Sequence, residues 1–145
     1  MSERPSAGVL SWLYMRRIIQ KMEQRLTAHF DQYDLTPAQF NVLAQLQRTP
    51  GIVQQELTDR LFVTKGNTVW LLNRLEESGL VERRPSPEDG RAHQVYLTER
   101  GIDLATRVVP EHEALVERYM SVLSTTDQRL LRDALRTLSH ALGPD

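Results

Sequence analysis

Thr64-Lys65-Gly66-Asn67-Thr68-Val69-Trp70-Leu71-Leu72-Asn73-Arg74-Leu75-Glu76-Glu77-Ser78-Gly79 carries both a start and a stop signal for a helix. Thr64 can cap a helix N-terminus and Gly79 can end a helix in the left-handed conformation, so the run between them reads as one helix. Each residue turns about 100° around the axis. Thr68, Leu71, Leu72 and Leu75 then share one face, which must be the buried one. Opposite them lie Gly66, Trp70 and Asn73, with Val69 and Arg74 at the margins. A merely solvated face seldom combines a tryptophan, a glycine where backbone can approach closely and an amide able to pair with adenine.

Working outward, Gln54 to Leu61 reads as a short preceding helix, with Leu57 and Leu61 one turn apart and apolar Ile52 and Val53 ahead of it. Thr36-Pro37-Ala38-Gln39 supplies a cap, a first-turn proline and a capping-box glutamine for a helix carrying Phe40, Leu43 and Leu46. That helix should stop before Thr49-Pro50-Gly51. On the other side, Leu80 to Arg84 and His93 to Thr98 flank a turn-rich segment from Pro85 to Arg91 and predict a hairpin. Val95 and Leu97 should face the body, with Gln94, Tyr96 and Thr98 toward water. Helices rich in apolar residues occupy both ends of the chain. The first carries Met15, Ile19, Met22, Leu26 and Phe30 at helical spacing. After Gly101 the period returns and is crossed by Pro110, which kinks or breaks a helix. The last helix begins near the capping box Thr125-Thr126-Asp127-Gln128 and shows Leu131, Leu135, Leu138 and Leu142.

The expected fold class is mainly α with a small β-hairpin wing. A helix pair followed at once by a hairpin is the winged form of the helix-turn-helix, in which the second helix enters the major groove and the hairpin meets a neighbouring groove or the backbone. Thr64 and Lys65 then sit at a helix end whose amides and dipole attract phosphate. At the hairpin tip Asp89 is placed to hold the guanidinium of Arg91, which can enter a minor groove. Blander readings stand beside these: Trp70 as an isolated exposed aromatic, Arg74 as a solvated arginine, Asp89 with Arg91 as a surface charge pair.

Composition narrows the classes. With 145 residues, 40% apolar and 26% charged, one compact unit is the default. Cysteine is absent, which excludes disulfides and thiol chemistry. The net charge of −1 means that any positive surface is local; from Arg60 to Arg100 seven basic residues meet six acidic ones. No run of eighteen apolar residues occurs and Met1-Ser2-Glu3-Arg4-Pro5 is unlike a secretory signal, so no membrane association and a cytoplasmic location are expected. No phosphate loop, dinucleotide fingerprint, nucleophile elbow or zinc-binding His-Glu-x-x-His occurs, and His29, His93, His112 and His140 are scattered. An enzyme, a metal site and a cofactor are therefore not expected.

Taken together, Leu35-Thr36-Pro37-Ala38-Gln39-Phe40, Glu56-Leu57-Thr58-Asp59-Arg60-Leu61, Val63-Thr64-Lys65-Gly66-Asn67, Leu75 through Arg84, and Glu88-Asp89-Gly90-Arg91 through Gly101 resemble the MarR family (multiple antibiotic resistance regulators) over essentially the whole chain. The resemblance implies a transcriptional repressor that binds a pseudo-palindromic double-stranded operator as an intertwined helical homodimer. Residues 1–34 and 101–145 would form the helical dimerisation region and 35–100 the winged lobe. By position, Thr64, Lys65, Gly66, Asn67, Val69, Trp70, Asn73 and Arg74 fall on the family's recognition helix and Asp89 and Arg91 on its wing. Trp70 departs from the pattern, since many members carry arginine or a small residue there; the operator sequence cannot be borrowed from relatives. Many relatives also release DNA on binding small, often aromatic and anionic molecules. Trp12 and Arg16, one turn apart on the first helix, are candidates for such an effector site, and equally for a dimer-interface tryptophan beside a solvated arginine. The competing reading is a winged-helix protein-interaction module with no DNA role. Exposed Val69 and Trp70 would suit it, and Arg91 would not.

Overall fold

The computed structural model describes residues 4–61 and 64–143. Val63, quoted above, and the first three residues of the N-terminal segment lie outside them. The elements in chain order are α1 (Ala7–Asp31), α2 (Pro37–Arg48), β1 (Ile52–Val53), α3 (Gln54–Leu61), α4 (Lys65–Glu77), β2 (Val81–Pro85), β3 (His93–Leu97), α5 (Glu99–Met120) and α6 (Thr125–Ala141). The chain divides into two units, Met1–Pro37 and Ala38–Asp145.

In the first unit, Ser6 caps α1 by accepting from the Val9 amide at 3.3 Å. The helix ends in a turn where Asp34 takes φ +54°, a left-handed conformation that aspartate tolerates better than most residues. The apolar stripe expected on α1 is buried only in its last turns, at Leu26 and Phe30. Met15 and Met22 are half-buried, whereas Ile19 is exposed along with Val9, Leu10, Leu13 and Ile18.

In the second unit, α2 stops at Arg48, as Pro50 requires, and buries Phe40, Leu43 and Leu46. Ile52 and Val53 form a short strand absent from the sequence reading, pairing with Val95 and Gln94 of β3. The sheet is antiparallel in the order β1-β3-β2. β2 and β3 form the expected hairpin, in the register Val81↔Leu97 to Pro85↔His93. Val95, in the central strand, is fully buried; Leu97 is only half-buried, as are Gln94, Tyr96 and Thr98, so the expected alternation holds at Val95 alone.

α5 runs from Glu99 to Met120 without a break. Pro110 therefore costs the helix one backbone hydrogen bond, because it has no N–H to give the carbonyl of Thr106, but it does not end it. α6 begins one residue earlier in the capping pattern than expected: Ser124 is the cap, accepting from the Asp127 amide at 3.1 Å and donating to its carboxylate at 2.9 Å. No residue of α6 is buried. Leu131, Leu135 and Leu138, successive on one face, keep 38%, 40% and 45% of their surface exposed. No helix among the described residues is long and apolar enough to cross a membrane.

Candidate nucleic-acid interface

α4 is built as its sequence dictates. Thr64 takes an extended conformation and its hydroxyl accepts from the Asn67 amide at 3.2 Å. The amides of Lys65 and Gly66, in the first turn, have no helical carbonyl to bond and point out of the helix end. Thr68, Leu71, Leu72 and Leu75 are buried. At the far end Gly79 adopts φ +72°, and the amides of Gly79 and Leu80 turn back onto the carbonyls of Glu76 and Leu75 at 2.9 Å each. The opposite face is exposed at Gly66, Val69, Trp70, Asn73 and Arg74, and Trp70 keeps 53% of its surface.

The outward side chains are tied to one another in ways the sequence reading did not state. The Arg74 guanidinium lies 5.3 Å from the centre of the Trp70 ring, a cation–π pair at i,i+4 spacing. Arg74 also lies 3.9 Å from Glu77. From β2, Arg83 reaches across to α4 and donates to the Asn73 oxygen at 2.6 Å. Its Nε and Nη2 donate to the Glu76 carboxylate at 2.9 and 2.8 Å, and its backbone amide donates to the same group at 3.1 Å. The hydrogen bond from Arg83, with its nearby positive charge, holds the Glu76 carboxyl below the usual carboxylate range despite partial burial. Helical spacing could have signalled the Trp70–Arg74 pair. Nothing local signals Asn73–Arg83, which joins residues on two elements across a turn.

The wing tip corrects one expectation. Asp89 accepts from the backbone amide of Arg91 at 3.0 Å and not from its guanidinium. A carboxylate two residues before an amide closes an Asx turn more readily than it doubles back on a long side chain. The turn is completed by the Ala92 amide donating to the Asp89 carbonyl at 3.0 Å. Among the described residues neither Arg91 nor Lys65 makes an ion pair. Both line a groove of about 320 Å³ with Gln54, Thr58, Gly66 and Val69. The fold thus brings together Lys65, Gly66, Val69 and Arg91, and adds Gln54 and Thr58 from α3. Trp70, Asn73 and Arg74 stand outside this groove on the open face.

Trp12 and Arg16 are both exposed on α1. A shallow depression on that helix is lined by Leu13, Arg16, Ile19, Gln20 and Glu23, and Trp12 is not among its walls. In the second unit a cavity of about 520 Å³, unforeseen from the sequence, is lined by Phe40, Arg48, Arg60, Val109, His112 and Val116 among others. The rings of Phe40 and His112 meet there at 4.5 Å.

A profile described as the MarR family matches residues 33–92. The chain is 31% identical over 129 residues to an HTH-type transcriptional regulator of Bacillus cereus, covering 88% of this chain and 86% of that one. Among solved structures it superposes on AbsC, a MarR family transcriptional regulator from Streptomyces coelicolor, with a TM-score of 0.88 at 22% identity, covering 97% and 98% of the two chains. It superposes on the MepR–DNA complex of Staphylococcus aureus with a TM-score of 0.82 at 25% identity, covering 92% and 97%.

Proposed function

This chain belongs to the MarR family of transcriptional regulators, and on that basis we propose that it is a cytoplasmic repressor that binds a pseudo-palindromic double-stranded operator as a homodimer. The observation that carries the reading is the exposed face of α4, where an indole, an amide and a guanidinium project beside a groove lined by Lys65 and Arg91, which make no ion pair among the described residues. Thr64, Lys65, Gly66 and Asn67 take the phosphates at the helix end; Val69, Trp70, Asn73 and Arg74 face the bases; Asp89 holds the turn that presents Arg91 to a minor groove. Residues 1–34 and 101–145 form the dimer interface. Exposed leucines one turn apart on α6 and the apolar first turns of α1 support this, because such rows are unusual on a monomer surface. A two-fold dimer sets its half-sites one DNA turn, about 34 Å, apart.

Release by a small aromatic anion is the accompanying proposal. Trp12 with Arg16 is one seat for it, and the half-open cavity between Phe40, His112, Arg48 and Arg60 offers an alternative. Selecting duplexes from a random pool at fixed salt, with sedimentation of the protein alone and with the winner, tests the whole reading. A two-fold symmetric site bound by two chains is the expected result. No enrichment of any sequence, or a monomer at micromolar concentration, overturns it and favours the protein-interaction module.

A further inference from the structure

Resting on the reading that α4 faces the major groove, we propose that Arg83 decides which base Asn73 reads, by engaging the amide oxygen and leaving the amide NH2 as the group presented to DNA. A guanidinium carries five donors and no acceptor. The 2.6 Å contact from Arg83 can therefore be met only by the Asn73 oxygen, and chemistry alone fixes which way the amide points. Arg83 is itself immobilised. Glu76 accepts from its side chain twice and from its backbone once, its side chain is only 22% exposed, and β2 is zipped to β3 at Arg83↔Val95. Glu76, Arg83 and Asn73 thus form one chain of hydrogen bonds from the edge of the core to the open face of α4.

An asparagine that recognises adenine must accept from N6 and donate to N7 at the same time. Here one of the oxygen's two lone pairs is already bound to a cation, which draws electron density from the other and turns the oxygen toward Arg83, so the NH2 is the stronger contact left for a base. What remains is an NH2 with two hydrogens. Guanine offers that group two adjacent acceptors, O6 and N7, whereas adenine offers one acceptor beside a competing donor. The base pair facing Asn73 is therefore guanine in preference to adenine, the reverse of what the residue type alone suggests. Arg83 is a positioning residue in this scheme.

The test is duplex selection at one salt concentration with the wild type, Arg83→Met, Asn73→Ala and the double variant. The wild type should enrich guanine at one position per half-site, and Asn73→Ala should abolish that preference. Arg83→Met frees the amide to rotate and should move the guanine-to-adenine ratio at that position on the order of tenfold toward adenine. In the Asn73→Ala background the same change should do nothing there, which separates positioning from a general loss of structure. Should Arg83→Met fail to fold, Arg83→Lys keeps the cation but cannot span Glu76 and Asn73 together, and should give the same shift. Guanine retained in the Arg83 variants, or adenine at the Asn73-dependent position of the wild type, overturns the proposal. An unenriched wild-type pool overturns the DNA reading and this proposal with it.

Discussion

Gly101 is the residue at which one added methyl group should do most damage. A Cβ built there lies 2.0 Å from the carbonyl oxygen of Leu80 and 3.3 Å from the Leu97 side chain. Ordinary contact begins at 3.4 Å, so α5 and the entry to β2 must separate by about 1.4 Å. That junction is dense with hydrogen bonds. The Thr98 amide donates to the Leu80 carbonyl at 3.1 Å, its hydroxyl donates to the Gly79 carbonyl at 2.6 Å, and the Gly101 amide donates to the same hydroxyl at 3.1 Å. A separation of this size breaks two of them, at about 1 kcal/mol each, and overpacking adds about 1–3 kcal/mol. Alanine's better helix propensity returns about 1 kcal/mol. The net loss for Gly101→Ala is about 3 kcal/mol, a fall in Tm of about 6–12 °C for a chain of this length. Calorimetry at one protein concentration is the assay, since the proposed dimerisation would link Tm to concentration. Gly66→Ala is the control: nothing lies within 4 Å of its Cβ, and the same propensity gain should raise Tm slightly. An unchanged or raised Tm for Gly101→Ala would refute the steric argument.

Trp70→Ala should shift Tm by no more than about 4 °C, because an exposed side chain contributes little to folding, while flattening the sequence preference of selected duplexes; a large drop in Tm would mean that the indole is a packing residue. Arg91→Ala should weaken binding to all duplexes alike and reduce the slope of log K against log salt by about one per arginine lost, a result that titrations at several salt concentrations read directly; a change confined to one sequence would contradict it. Glu76 is held below its ordinary pKa by Arg83, so its contribution to stability is present above the usual carboxylate range and is lost as pH falls through the lowered folded value. The gap in Tm between wild type and Arg83→Met should accordingly narrow on acidification from neutral pH, and a gap that stays constant would deny the ion pair its role.

The helices were legible because each rests on a local signal. Thr64 and Gly79 bracket α4 through cap chemistry between near neighbours, and the burial of Thr68, Leu71, Leu72 and Leu75 follows from a period of 3.6. β1 was not legible, since two residues carry no period and its pairing with Val95 and Gln94 spans some forty positions of chain. The bonds of Asn73 and Asp89 were missed for a related reason. A sequence shows that each can accept a hydrogen bond, but whether the donor is a base, a guanidinium or a neighbouring amide is settled by side chains brought together in the fold. On α1 and α6 the periodicity described a face that the single chain does not cover, which is why the stripe reads so clearly in the sequence and is so poorly buried.

The overall charge of −1 leaves any attraction for a polyanionic partner to local surface, and the ion pairs around α4 cancel much of the lobe's charge in place. Glu76 is matched by Arg83, Glu77 by Arg74, Glu82 by Arg84 and Glu56 by Arg60. Each pair nearly cancels at a distance beyond the Debye length, about 8 Å at physiological salt, so the field that DNA would feel comes from the charges left over. Among the described residues from Arg60 to Arg100 these are the cations Lys65, Arg91 and Arg100 and the anions Glu88, Asp89 and Glu99, and of them Lys65 and Arg91 line one groove between the start of α4 and the wing. With so few uncompensated charges, counterion release supplies a smaller share of the binding free energy than in a strongly basic protein. On the reading proposed above, more of it would come from the fit of α4 in the groove, where an exposed indole stacked on a guanidinium and a rigidly held amide would act.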